Sequence, residues 1–292
     1  MRKQSHQRSR GETVRNYFSH QSEYWDSLYS APEGPEGFLK HELTRRKEIV
    51  FDSIEENKVA PLRSALDLGC GSGQYTAPLS QMGLDCYGAD ISEEMLTLAQ
   101  QKLPPDSSVT WIHSDCRNVP LDDQSVDLIL CVGVLEYLTD DQPALEEIRR
   151  LIRPNGLAIV TFPNTYKLRN LLNPYYYLIR VWTYHFKNNT SGTNDSLDYC
   201  KAIVRRYSYL KIRQLAKQSG FQTLALKGCA FGPFSLWKKD ILPLKSSIKI
   251  SDTLEHMSNR VLFRCLTCFA NRWVIVLTPK NATEKTNKKV VL

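Results

Sequence analysis

The chain has 292 residues, 42% of them hydrophobic, enough for one large α/β domain with insertions or a domain plus a small second one. No uncharged apolar run approaches the ~18 residues that a membrane span needs, and Met1 to Arg10 is polar and basic without the apolar stretch of a signal peptide. The net charge of +7 is unevenly spread: residues 1–164 carry 16 Lys and Arg against 25 Asp and Glu, whereas residues 165–292 carry 22 against 6. An imbalance of that size commonly faces an anionic partner, and an acidic substrate, anionic lipid headgroups or nucleic acid would each qualify.

Residues 1–10 are expected to lack regular structure. Residues 11–57 read as a helical cap rich in aromatics: Tyr17, Phe18, Tyr24, Trp25 and Tyr29, a Pro/Gly break from Pro32 to Gly37, then a helix from Phe38 to Glu55. That second helix carries Leu39, Leu43, Ile49 and Ile54 with charges between them. Packing of the aromatics on a core and contact with a ligand are both open.

The core is expected over residues 58–164. Ala65 to Gly73 reads as a buried strand ending in a glycine-rich turn and opening directly into a helix, Gln74 to Met82. Such a turn lets backbone approach a ligand closely, and the helix behind it aims unpaired N–H groups at the same place. The alternation continues with strand 85–90, helix 92–103, strand 109–113, strand 126–133, helix 141–152 and strand 157–162. Ser92 followed by Glu93 and Glu94 starts a helix well, and Pro154-Asn155-Gly156 reads as the turn before the fifth strand. Strand–helix alternation of this kind makes a doubly wound α/β sheet with right-handed crossovers.

After Asn164 the alternation fails. Residues 165–206 read as an aromatic and basic lid insertion. As a helix, Leu178, Val181, Trp182 and His185 share one face while Arg180 and Lys187 point elsewhere. That pattern suits either a lid over a pocket or a helix lying on an anionic membrane. Residues 207–278 complete the core: a helix from Tyr209 to Ser219 capped by Ser208, a strand over 221–227, a helical insertion over 231–271 and a last strand over 273–277. Residues 279–292 are Lys/Asn/Thr-rich and expected to be disordered.

Three strand ends carry acids: Asp67 inside the first strand, Asp90 at the end of the second, and Asp115 just after the third. The glycine spacing departs from the dinucleotide pattern, since Gln74 occupies its last small position. Asp67 would sit badly beside a pyrophosphate but well beside a sulfonium or an α-amino group. Asp90 is placed to accept from two ribose hydroxyls, and Asp115 from an adenine amino group. Together they describe a nucleoside pocket with a positive tail.

Those segments carry a resemblance. Leu66-Asp67-Leu68-Gly69-Cys70-Gly71-Ser72-Gly73, Gly88-Ala89-Asp90-Ile91-Ser92, Ser114-Asp115-Cys116, Val126 to Cys131 and Leu151 to Ile159 follow one another as in the class I S-adenosylmethionine-dependent methyltransferases. From about Ala65 to Pro163 the chain resembles that family, and its first helices resemble the start of the magnesium-protoporphyrin methyltransferases. The resemblance implies a Rossmann-like sheet of about seven strands with an antiparallel edge, plus N-terminal helices and helical insertions in the C-terminal half. It implies S-adenosylmethionine as cofactor, contacted by Asp67, Gly69, Cys70, Gly71, Gly73, Asp90, Ile91, Met95, Asp115, Cys116 and Val132.

The acceptor side is less legible. In the family the end of the fourth strand, Cys131 to Leu138, borders it, which makes Glu136 and Tyr137 the candidate catalytic residues, with His185 from the lid. Glu136 reads equally well as a helix cap, and His113 as a packed histidine. His41 lies in a helix that can close over the pocket. Relatives acting on quinone precursors carry metal-ligating types where this chain has Gly133 and Tyr137, so no metal is expected. The Asn/Asp-Pro-Pro-aromatic turn of enzymes that methylate exocyclic amines is missing too, which argues against nucleic acid. Eight cysteines, single apart from Cys265 and Cys268, suit a reducing cytoplasm and not a zinc site. The reading is a methyltransferase of a small hydrophobic or amphipathic metabolite, with oxygen as the expected acceptor atom and peripheral contact with an anionic membrane. The alternative is a macromolecular methyltransferase holding RNA on its basic half. A cofactor-binding scaffold without activity is disfavoured by the full set of acids and glycines.

Overall fold

The computed structural model describes residues 2–30, 36–104, 107–168, 204–236 and 239–280. Seven strands make one sheet: β1 (Ser64–Leu68), β2 (Asp85–Asp90), β3 (Val109–His113), β4 (Val126–Cys131), β5 (Ile152–Pro163), β6 (Phe221–Cys229) and β7 (Arg272–Pro279). Their order in space is β3-β2-β1-β4-β5-β7-β6. Strands β1 to β5 pair in parallel, and β7 runs antiparallel between β5 and β6. This is the Rossmann-like sheet expected, with its antiparallel strand one place in from the edge. The order reverses between β1 and β4, and sheets of this kind bind ligands beyond the strand ends at that reversal.

The central strands are apolar on both faces because helices cover both. One face buries Leu66, Ile129, Cys131, Ala158, Trp273 and Ile275 beneath α6 (Gln142–Leu151) and α7 (Tyr209–Gln218). The other buries Ala65, Leu128, Leu130, Ile159, Val274 and Val276 beneath α3 (Gly37–Asn57) and α4 (Thr76–Gln81). Each fully buried aliphatic side chain contributes about 1.5–3 kcal/mol. Local signals set the helix starts. Ser92 accepts the Met95 N–H at 3.2 Å to open α5 (Glu93–Gln101), and Ser208 accepts the Lys211 N–H at 3.3 Å to open α7.

Several expectations change in detail. A helix, α1 (Arg2–His20), runs through the segment expected to lack structure, followed by α2 (Ser22–Ser30). β5 begins at Ile152, so Pro154-Asn155-Gly156 lies within the strand: Val126 pairs with Ile152 and the register then shifts before Leu128 meets Leu157. The helical insertion consists of a short hairpin (Ser235–Leu236 with Lys239–Asp240), α8 (Leu244–Ser258) and a 3₁₀ stretch, Val261–Phe269, which carries Cys265 and Cys268 as exposed thiols. α8 packs on α3, where buried Glu255 pairs with Arg45 at 2.5 Å. The lid positions Arg180, Trp182 and His185, and the tail over 281–292, lie outside the described residues. Among those described, no helix is long and apolar enough to cross a membrane.

Candidate active site

The turn between β1 and α4 shapes the floor of a cavity. Gly69 takes φ +76°, and a Cβ there would run into the Val134 side chain; Gly73 takes φ +78°, with Ala99 Cβ 3.1 Å from where its own would stand. The turn is pinned across the sheet: the Gly69 and Cys70 N–H groups both donate to Ala89 O, at 2.7 and 3.0 Å. Only glycines let this backbone lie so close to a neighbouring strand in that conformation.

Asp90 and Asp115 line the cavity, whereas Asp67, expected beside them, is buried and is not among its lining residues, nor is Gly73; the three acids differ in electrostatic state. Asp67 is buried, accepts the Thr76 hydroxyl at 2.7 Å, and has its pKa pushed up to about 7 by burial, with Asp90 adding to the rise. Asp90 accepts the Gly71 N–H at 2.8 Å and the Ser92 N–H at 3.0 Å; burial raises it, and those backbone donors offset the rise only in part. Asp115 is tied to Arg117, which donates from Nε at 2.8 Å and from its backbone N–H at 2.9 Å. Burial works against that carboxylate, but the Arg117 bonds hold it below its usual range. Ile91, Met95, Cys116 and Val132 line the same cavity as Asp90 and Asp115. Burial drives the Cys70 thiol well up and the Cys116 thiol to about 12, so both are packing groups at neutral pH and not nucleophiles.

Helices α1 to α3 roof the cavity. Phe18, Trp25, Tyr29, Leu39 and Leu43 line it, while Tyr17 is packed in the core and Tyr24 is exposed, so the aromatics divide between pocket, core and surface. The roof is latched at three points. Asp26 accepts from Ser72 Oγ at 2.7 Å and Gln74 Nε2 at 3.1 Å and pairs with Lys102. Ser19 Oγ meets Ser92 Oγ at 3.0 Å, and Arg10 Nε donates to Tyr137 O at 3.0 Å.

On the acceptor side, the candidates separate. Glu136 is 1% exposed and is not a helix cap: Oε1 accepts Arg272 Nη1 at 2.5 Å. Arg272 also reaches Glu42 from Nε at 2.9 Å. Tyr137 stacks edge-on against Phe18, centroids 5.1 Å apart, and burial followed by the Glu136 charge raises its pKa, so it keeps its proton at neutral pH. His113, expected to be packed, is instead exposed at the end of edge strand β3, where it pairs with Glu93 at 3.0 Å and meets Ile91 O at 2.9 Å. His41 pairs with Asp252 at 2.9 Å, away from the cavity.

Five buried polar atoms on cavity-lining residues lack a well-formed hydrogen bond, Trp25 Nε1, Arg46 Nε, Tyr75 Oη, Ser114 Oγ and Glu136 Oε2, although Tyr75 does lie against the Arg46 guanidinium. Unsatisfied groups cost about 1–3 kcal/mol each when buried, and their gathering around one cavity is what a polar ligand would relieve. Arg46, from α3, is 5% exposed and donates from Nη2 to Tyr29 Oη at 2.8 Å. Burial opposes its charge, yet the groups around it, Tyr29 and Tyr75 first and then Glu136, hold its pKa well above the usual value.

A family model described as a methyltransferase domain matches residues 66–160. Residues 66–160 are thus similar to a methyltransferase domain. The demethylmenaquinone methyltransferase of Clavibacter sepedonicus is 32% identical over 104 residues, covering 35% of this chain and 42% of that protein. The ubiquinone biosynthesis O-methyltransferase of Methylococcus capsulatus is 23% identical over 225 residues, covering 76% and 86%. Among solved structures, the magnesium protoporphyrin IX methyltransferase of Synechocystis PCC 6803 with bound SAH superposes with a TM-score of 0.57 at 18% identity, over 93% of this chain and all of that one, a likeness of fold. The chain spans about half the length of the curated relatives it matches first. The methyltransferase domain thus supplies the floor and the acids, while the roof is added by the helices before it.

Two residues of the methyltransferase domain's surroundings escaped the sequence reading. Asp26 gives no local signal, because its partners are 46, 48 and 76 positions away. Arg46 did leave one: it sits three residues after Leu43 and three before Ile49, a charge on the buried stripe of α3.

Proposed function

We propose that the protein is an S-adenosylmethionine-dependent methyltransferase acting on a small hydrophobic or amphipathic metabolite, with oxygen as the accepting atom. The observation that carries this is the cavity itself: glycine turn, two strand-end acids and unpaired polar atoms under an aromatic roof. Oxygen is favoured by the likeness to the Methylococcus O-methyltransferase, and a small acceptor by the roof of α1 to α3 over a largely apolar chamber better suited to a metabolite than to a polymer.

S-adenosylmethionine, when bound, supplies a methyl carbon already activated by a sulfonium. The chain's part is then orientation, which can lower a barrier by about 7–11 kcal/mol. Asp90 has acceptor lone pairs left for ribose hydroxyls after its two backbone bonds, and Asp67, buried and outside the cavity lining, acts on a cationic tail only through its charge. Asp115 fits its adenine role less simply, because Arg117 already occupies both of its oxygens. Glu136 Oε2 is the unpaired acceptor on the acceptor side, and Tyr137, protonated, serves as a donor and not as a base.

Contact with an anionic membrane belongs to the same proposal. The excess of 22 basic over 6 acidic residues beyond position 164 supports it. The test of the function is a tritiated-methyl screen of metabolite extracts with purified protein. Label passing to an organic-soluble product supports the reading, and label passing only to RNA or protein overturns the small-molecule part of it.

A further inference from the structure

Two thiols stand apart from the rest. Of the seven cysteines among the described residues, Cys70, Cys86, Cys131 and Cys229 are buried and Cys116 is half-buried, whereas Cys265 and Cys268 are exposed. Burial drives the thiols of Cys70, Cys131 and Cys229 well up and those of Cys86 and Cys116 to about 12, so all five stay protonated and inert at neutral pH. The exposed pair lies in the 3₁₀ stretch Val261–Phe269, and neither residue lines the cavity.

The 3₁₀ turn brings the two together. With three residues per turn and a rise of ~2.0 Å each, positions i and i+3 eclipse, one Cα above the other at about 6 Å. A disulfide usually spans ~4.4–6.8 Å between Cα atoms. An α-helix, with about 3.6 residues per turn, would rotate the same pair about 60° apart. The one residue of the stretch with non-helical dihedrals, Phe263, precedes the pair. Burial and then the charge of Cys265 raise the Cys268 pKa, so the two thiols sit within electrostatic reach, and bridging them ends that conflict.

The turn is also held from outside. Asn164 Nδ2 donates to Cys268 O at 2.7 Å and to Ala270 O at 2.8 Å, and Trp273 Nε1 donates to Thr267 O at 2.8 Å. Backbone already fixed by the fold gives up little further freedom when a ring closes on it.

We propose that Cys265 and Cys268 are a thiol–disulfide site, which a low-molecular-weight disulfide converts to an intramolecular bridge and a small thiol opens again. One protein thiolate attacks a sulfur of the small disulfide, forming a mixed disulfide and releasing one small thiolate. The other protein thiolate attacks the protein sulfur of that mixed disulfide, closing the bridge and releasing the second. The protein gives up two protons and two electrons, and the small disulfide leaves as two thiols. In a reducing compartment such bridges are usually transient, catalytic or redox-sensing. The inference does not depend on the methyltransferase reading.

The test equilibrates the intact protein in mixtures of oxidised and reduced glutathione, quenches with acid, alkylates the free thiols and maps the peptides by mass spectrometry. The expected oxidised product is a Cys265–Cys268 bridge, reopened by excess reduced glutathione, with the five other described thiols unreacted until urea unfolds the chain. C265S and C268S should each accumulate glutathione on the remaining cysteine instead, because no second thiol displaces it. The folded protein should favour the bridge about tenfold over the same chain in urea, or ~30 mV. Both thiols staying free in the oxidised buffer would overturn the proposal. So would glutathione accumulating on them in wild type without a bridge, a bridge to another cysteine, or equal stability of the bridge in urea.

Discussion

Binding of a cationic cofactor should draw a proton off Asp67. The carboxyl is buried with the Thr76 hydroxyl as its one side-chain partner, and its pKa stands at about 7. If the ionised form does the binding, ionisation at pH 6 costs about 1.4 kcal/mol, whereas at pH 8 it costs under ~0.1 kcal/mol. The affinity for S-adenosylmethionine should therefore rise about tenfold between pH 6 and pH 8 and level off above. Calorimetry in buffers of different ionisation enthalpy counts the proton directly, and Asp67→Asn should remove both the proton and the slope. Without ligand the sign reverses. A carboxyl whose folded pKa exceeds its ordinary value of about 3.9 lets the native state hold more protons between about pH 4 and 7, so stability falls as pH rises through that window. An affinity equal at pH 6 and pH 8, or a slope that survives in Asp67→Asn, would refute the argument.

Three more expectations follow from single contacts. Asp90→Ala should weaken cofactor binding by ~1.5–3 kcal/mol, and since Asp90 also holds the Gly71 and Ser92 N–H groups it should lower the melting temperature as well; unchanged affinity by calorimetry would remove Asp90 from the ribose role. Asp26→Ala removes a carboxylate that accepts two hydrogen bonds and joins a partly exposed ion pair, worth about 1.5–3 kcal/mol together. It should speed S-adenosylhomocysteine dissociation about tenfold in stopped-flow fluorescence, and an unaltered rate would show that the roof does not gate release. Activity, once an acceptor is known, should survive chelation, because no metal-ligating residues stand at Gly133 and Tyr137; loss in EDTA with rescue by magnesium or zinc would count against this.

How much was readable depended on whether a signal was local. β2 and β3 fall at the bounds read from the sequence because turn residues bracket short apolar runs, and Ser92 and Ser208 cap their helices through bonds only three residues long. The acids and glycines of the floor were legible for the same reason, each sitting at a strand end. The start of β5 was misplaced because a register shift, a matter between strands, carries Pro154 to Gly156 inside the ladder. Glu136 was read as a possible cap, yet its partner Arg272 lies 136 positions away. Arg46 stands on the buried stripe of α3, a local signal, but its partner Tyr29 lies 17 positions away.

Titration of the intact protein with S-adenosylhomocysteine tests the central claim most directly. The account predicts one saturable site per chain, weakened by Asp90→Ala and not occupied by NAD or ATP. Absence of binding, or equal binding of NAD at the same site, would contradict it.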